Sequence, residues 1–116
     1  MKKLYLYLLL GSFSALPLYA QAKPAQCLIE SSGEILFKGK CNFSADRDGS
    51  FTLENIRRNG ELYDNILMVS VSIVSPKVAH VRGVTSFGNS SYWGDVRRSR
   101  TQPACWANNE FKICAW

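Results

Sequence analysis

The sequence predicts a small all-β protein, an antiparallel barrel or sandwich of about six to eight strands held by two disulfides. Three observations predict it: short segments alternate apolar and polar residues, turn-forming residues separate them, and four cysteines occur in a chain of only 116 residues. The composition, 47% hydrophobic and 20% charged, is typical of a globular protein. A chain of this length accommodates one domain, which excludes a multidomain enzyme.

The N-terminal segment has the pattern of a secretory signal peptide. Two lysines near the start precede an apolar stretch, and small residues around Ala20 offer a cleavage site. A membrane anchor is the alternative, because the uncharged residues 4–22 nearly reach the ~20 residues that span a bilayer. Small residues and a proline dilute the second half of this stretch, which favours cleavage. We therefore expect residues 1–20 to be removed, residues 21–116 to form one domain without stable membrane insertion, and the protein to be periplasmic or secreted, in a bacterium.

The predicted strands follow one another along the chain with turn residues between them. Ser31-Ser32-Gly33 supplies the turn of a first hairpin, and residues 46–49 supply the next turn. Asn59-Gly60 predicts a two-residue hairpin turn, since both residues tolerate a positive φ. Ser75-Pro76 ends the segment with the strongest strand pattern. The alternating segments are residues 27–29, 35–43, 50–53, 66–74, 78–85, 104–106 and 111–114.

The segment from residue 86 to residue 103 is different in kind. It is rich in Gly, Asn and Ser and ends in a proline, a composition typical of a connection. We expect a long loop here, with at most one short strand near residues 93–97. Beyond it, the last two strands are expected to form a closing hairpin in which Trp106 lies opposite Ile113.

The four cysteines, Cys27, Cys41, Cys105 and Cys114, all follow the predicted signal peptide. An even number in a small exported chain favours two disulfides, and three pairings are possible. We favour Cys27–Cys41 and Cys105–Cys114, because each pair lies across a predicted hairpin. A zinc site is the alternative, but no two cysteines have zinc-ligand spacing and His80 is distant in sequence.

Catalytic chemistry has little support in the sequence. His80 is the only side chain whose ordinary pKa lies near neutrality, and no serine stands in a nucleophile motif beside it. Asp46 and Asp48 precede Gly49 in a pattern that indicates a β-turn, since the spaced oxygens of a calcium loop are missing. We expect a non-catalytic protein without a metal or cofactor.

A basic and aromatic cluster is the most suggestive feature for binding. Arg97, Arg98 and Arg100 offer three guanidinium groups within four residues, and Tyr92 and Trp93 precede them. Guanidinium groups pair with carboxylates and phosphates, and the rings can stack on sugars or bases. The alternative is a solvated loop in which the tryptophan folds back to cover the core.

Five short blocks stand out in the sequence: GKCNF (residues 39–43), DGSF (48–51), YWG (92–94), ACW (104–106) and ICAW (113–116). Together they resemble a family of small exported proteins of Gram-negative bacteria. The most specific part of the resemblance is the closing hairpin, which runs from the ACW block to the ICAW block. The family has no established activity, so the resemblance implies an exported, disulfide-bonded protein and no particular task.

Two functions fit these observations. The first is a non-catalytic binding protein whose 92–100 segment contacts an anionic envelope component or an acidic protein surface. The alternative is an inhibitor or immunity protein acting on a cell-wall hydrolase such as lysozyme. Known lysozyme inhibitors are similar to this chain in size, compartment and cysteine usage. Their Tyr-x-Cys-x-x-Gly pattern, however, is absent around Cys41. Nucleic acid is not an expected partner, because the cleaved chain keeps 12 basic against 9 acidic residues, a net charge of only +3.

Overall fold

The computed structural model describes residues 22–116, which form a closed barrel of eight antiparallel strands. Neighbours in the barrel are neighbours in sequence, and the first strand also pairs with the last. The all-β prediction is confirmed, whereas the predicted signal peptide, residues 1–20, lies outside the described residues. The strands are β1 (Lys23–Ser31), β2 (Glu34–Ala45), β3 (Phe51–Glu54), β4 (Ile66–Ser75), β5 (Val78–Thr85), β6 (Ser90–Arg98), β7 (Cys105–Ala107) and β8 (Phe111–Ala115).

Alternation of apolar and polar residues places the core inside the barrel. Val71 on β4 lies opposite Val81 on β5, and both side chains are fully buried. Their neighbours Ser72 and Arg82 point outward and are exposed, because successive residues of a strand face opposite sides. Among residues 22–116, no helix is long and apolar enough to cross a membrane. The core contains Ala25, Cys27, Ile29, Cys41, Phe51, Leu53, Leu62, Val69, Val71, Ala79, Val81, Val96, Trp106 and Ile113.

Three of the predicted turns are present. Ser32 and Gly33 have φ values of 51° and 81°, as a two-residue hairpin turn between β1 and β2 requires. Gly49, with φ 94°, donates its N–H to the carbonyl of Asp46 at 3.1 Å in the connection from β2 to β3. Lys77 has a φ of 67° in the turn that follows Ser75-Pro76.

The prediction of a hairpin at Asn59-Gly60 is wrong. β3 and β4 are joined by a longer connection, residues 55–65, in which the Gly60 N–H donates to the carbonyl of Arg57 at 3.0 Å. The local turn forms as expected, with φ 63° at Asn59. The residues beside it lack the apolar alternation that would build two strands, and Leu62 instead enters the core. The turn is therefore a bend within a loop.

The prediction of a long loop over residues 86–103 is also wrong, since nine of these residues form β6. Pairing with β5 extends from Val78 opposite Arg97 to Val84 opposite Ser90, and a bulge at Trp93 interrupts the register. The bulge breaks the alternation that would have indicated a strand in the sequence. The connections on either side of β6 are residues 86–89 and residues 99–104.

Both predicted disulfides and the closing hairpin are confirmed. Cys27–Cys41 joins β1 to β2 inside the core. Cys105 lies directly opposite Cys114 on β7 and β8, and their bridge lies on the outer side of this hairpin. Trp106 lies opposite Ile113 on the inner side, as predicted. All four cysteines are buried, and two disulfides indicate an oxidising compartment.

Candidate functional site

The three arginines of the predicted binding cluster do not converge. Arg97 and Arg98 are consecutive residues of β6, so their side chains leave opposite faces of the strand. The Arg98 guanidinium lies 5.4 Å from the ring centroid of Trp106, and its Nε donates to the carbonyl of Pro103 at 3.0 Å. Arg100 is exposed in the connection to β7. Arg98, although exposed, is therefore held against the barrel by two contacts and lies on the opposite face of β6 from Arg97.

Trp93 is also a structural residue. Its ring stacks on Phe111, with centroids 5.3 Å apart and planes inclined by 11°, and it packs against the core. Its indole Nε1 donates to the Ser91 hydroxyl at 3.2 Å. The alternative interpretation of the sequence, in which this tryptophan covers the core, is the one that the contacts support.

Tyr92, by contrast, is exposed and belongs to a cluster on the outer surface that we call the Tyr92 cluster (His80, Arg82, Tyr92 and Asp95). The Tyr92 hydroxyl donates to Asp95 Oδ1, and the His80 ring meets the Tyr92 ring edge-on at 5.3 Å. His80 Nε2 lies 3.2 Å from the same carboxylate oxygen. The hydrogen bond to Asp95, with a smaller effect of desolvation, raises the pKa of Tyr92 above its ordinary value. The tyrosine ring is thus fixed in orientation although 49% of the residue is exposed.

Arg82 completes this cluster from the neighbouring strand. It lies opposite Tyr92 in the sheet, and its Cζ is 5.6 Å from the centroid of the tyrosine ring. A guanidinium over an aromatic face is attracted by the ring electrons, which also limits the motion of the long side chain. Alternation along β5 is enough to place Arg82 on the outer face, but its contact with Tyr92 depends on the register that the bulge at Trp93 sets.

The surface beside the Tyr92 cluster is polar and carries small side chains. Ser70 lies opposite Arg82, Ser72 lies opposite His80, and Thr52 lies opposite Ser70 on the next strand. All three point outward, because their strand neighbours are buried in the core. Short hydroxyl side chains leave the ring of Tyr92 and the guanidinium of Arg82 accessible from this side.

Asp95 also ties the cluster to the end of the barrel. The Asn108 side chain, in the turn between β7 and β8, donates to the Asp95 carbonyl at 2.8 Å. Within the described part of the chain, no three His, Cys, Asp or Glu side chains are grouped so that they could hold a metal ion. The arrangement offers a ligand a cation, an aromatic ring and hydroxyl groups.

Sequence reasoning missed a second candidate, a groove of about 430 Å³ beside the β3–β4 connection. We call it the Arg57 groove. The asparagine and arginine content of residues 55–60 could have indicated it, but their interpretation as a hairpin turn concealed the loop. Its lining residues are Ala22, Asn42, Glu54, Asn55, Ile56, Arg57, Arg58, Asn59, Gly60 and Leu67.

Comparisons of the chain with protein-family models, with curated proteins and with solved structures found no match. The function is therefore argued from the contacts and charges of the described residues alone.

Proposed function

We propose that this protein is an exported, non-catalytic binding protein that recognises an anionic component of the bacterial envelope. The exposed cation–π contact of Arg82 with Tyr92, on the outer face of β5 and β6, is the observation that carries the proposal. The two buried disulfides support a location in the periplasm or outside the cell, where such bridges persist.

This contact suits the recognition of a carboxylate or phosphate. The ring of Tyr92 holds the Arg82 guanidinium at the surface, and its N–H groups can still form a bidentate contact with such an anion. Within residues 22–116, the Asp95 carboxylate contacts His80 and does not pair with this arginine. Arg97 lies on the same outer face, because its neighbour Val96 is buried, and adds a second cation.

This assignment changes the predicted binding residues. Tyr92 and Arg97 stay in the proposed site, and Arg82 enters it. Trp93 leaves it because its ring packs against the core, and Arg98 leaves it because its side chain lies on the opposite face of β6 from Arg97. Arg100 lies in the connection beyond β6 and is not assigned to the site. The inhibitor hypothesis stays a prediction. An inhibitor of this kind needs a preorganised loop that enters the hydrolase cleft, and most of the 92–100 segment is strand β6 instead.

The proposal can be tested by co-sedimentation of the purified, oxidised protein with isolated Gram-negative envelope, at low and at moderate salt. We expect binding that weakens as salt rises, since surface charges are screened over about 10 Å at 0.1 M salt. Arg82→Ala and Tyr92→Ala should each reduce the bound fraction several-fold. Arg47→Ala removes an equal charge from the exposed β2–β3 turn and should leave binding unchanged.

Two results would contradict the proposal. One is equal binding by wild type and Arg82→Ala, and the other is an equal loss with Arg47→Ala, which would indicate only a response to net charge. Retention by a single protein partner, insensitive to salt, would favour the inhibitor hypothesis instead.

A further inference from the structure

We propose that the Arg57 groove is a second binding site, separate from the Tyr92 cluster, and that it takes an acidic saccharide, a sugar unit that carries a carboxylate or a phosphate. The groove lies outside β2 and β3, whereas the Tyr92 cluster lies on β5 and β6. Its volume of about 430 Å³ falls within the roughly 300–1,000 Å³ typical of small-molecule sites.

The walls of the groove are held in place by hydrogen bonds within the loop. The Asn55 side chain accepts from the Arg57 N–H at 2.6 Å and donates to the Glu61 carbonyl at 2.6 Å. Gly60 packs so closely that an added Cβ would lie 3.1 Å from Asn55 Cγ. Because these contacts fix the loop before a ligand arrives, binding does not have to order it.

Positive charge surrounds the groove. Arg57 and Arg58 are exposed members of its lining, and among the described lining residues Glu54 is the only one that carries a carboxylate. Lys40 lies two residues before Asn42 on the same outer face of β2 and adds a further cation at its edge. None of these cations takes part in an ion pair within residues 22–116. Their N–H groups are therefore available to an anionic ligand.

The rest of the lining matches a sugar ring rather than another anionic molecule. The Asn42 and Asn59 side chains can both donate to and accept from hydroxyl groups. Ile56 and Leu67 offer apolar contact for the C–H face of a ring. None of the lining residues within 22–116 is aromatic, so these residues offer a nucleobase no ring on which to stack.

The test is a two-dimensional NMR titration of the oxidised, isotope-labelled protein with glucuronic acid and with glucose 6-phosphate. We expect saturable shifts of the amides of Asn42 and of residues 55–60. Glucose and inorganic phosphate serve as the neutral and the sugar-free probes, and each should bind at least about tenfold more weakly, since each lacks one set of contacts.

Amino-acid substitutions distinguish ligand binding in the Arg57 groove from envelope binding through Arg82. Arg57→Ala and Asn42→Ala change exposed or half-exposed side chains, and each should weaken the binding of glucose 6-phosphate at least several-fold. Arg47→Ala and Arg82→Ala change residues that do not line the groove and should leave the titration unchanged. Equal affinity for glucose, equal affinity for inorganic phosphate, shifts outside the groove, or no effect of Arg57→Ala would each overturn the proposal. Envelope binding through Arg82 is independent of every one of these results.

Discussion

The indole ring of Trp93 lies directly against the backbone of Gly83 on the neighbouring strand. A Cβ atom built on Gly83 would overlap three atoms of that ring. The contact occurs where β6 bulges away from the register of β5, and Phe111 stacks on the tryptophan. A glycine is therefore required at this position for space, although its φ lies outside the left-handed region.

Gly83→Ala should destabilise the protein by roughly 1–3 kcal/mol, the usual cost of overpacking. The measurement is the free energy of unfolding from urea denaturation. As a control, the same substitution in a Trp93→Leu background should cost much less, because the overlapping ring is gone. An equal cost in both backgrounds would show that the ring is not the reason.

Arg98→Ala should lower the free energy of unfolding by about 1–2 kcal/mol, since a hydrogen bond to Pro103 and a contact with Trp106 are both lost. Arg97→Ala and Arg100→Ala remove the same charge from exposed positions, and each should change the free energy of unfolding by less than about 0.5 kcal/mol. Denaturation of the three variants side by side gives the comparison. Equal effects at all three positions would contradict the contacts assigned to Arg98.

Removing either disulfide should cost about 2–3 kcal/mol on the loop-entropy model, because the cysteines are only 14 and 9 residues apart. We expect the double substitution Cys27→Ala/Cys41→Ala to cost more than Cys105→Ala/Cys114→Ala. The first bridge closes the longer loop and also packs in the core. Thermal unfolding of both variants measures the difference, and the reverse order would contradict this packing argument.

Ionisation of Tyr63 is expected to lower the stability of the protein at alkaline pH. Burial, with a smaller effect of the Asp64 charge, raises the pKa of Tyr63 to about 12. An ordinary tyrosine in the unfolded chain loses its proton near pH 10, so above about pH 10 the unfolded state binds fewer protons than the folded state. Stability should therefore be unaffected by Tyr63 below pH 10 and should fall as pH rises from 10 through 12.

Urea denaturation between pH 9 and pH 12 measures this effect. Tyr63→Phe should flatten the decline, because the variant cannot ionise at that position. Tyr92→Phe is the matched control: its pKa is also raised, chiefly by the hydrogen bond to Asp95, but it is exposed and should alter the slope less. An unchanged slope for Tyr63→Phe would contradict the prediction.

The sequence predicts those parts of the fold that depend on neighbours along the chain. The pairing of Cys105 with Cys114 follows from a short hairpin, and the inward position of Val81 follows from alternation within one strand. The proposed site depends instead on how two strands are aligned. The meeting of Arg82 with Tyr92 requires the bulge at Trp93, and a bulge leaves no periodic signal in the sequence.

The Arg57 groove was unpredictable for a related reason. Asn59-Gly60 specifies a local turn, and that turn forms, but the sequence pattern does not say whether strands or a loop flank it. Leu62 decides the outcome by packing in the core, which is a tertiary contact. Local preferences therefore described the turn correctly and the loop around it wrongly.

The seam between the first and last strands has a consequence for the order of folding. Trp116 and Gln26 exchange two backbone hydrogen bonds, and Cys27 pairs with Ala115, so the cylinder closes only when both ends of the domain are present. Contacts between residues so distant in sequence form slowly, whereas each hairpin can form early. Both pairs of thiols lie within hairpins. Oxidation can therefore precede closure, so that in an oxidising compartment both correct cross-links can form while the cylinder is still open.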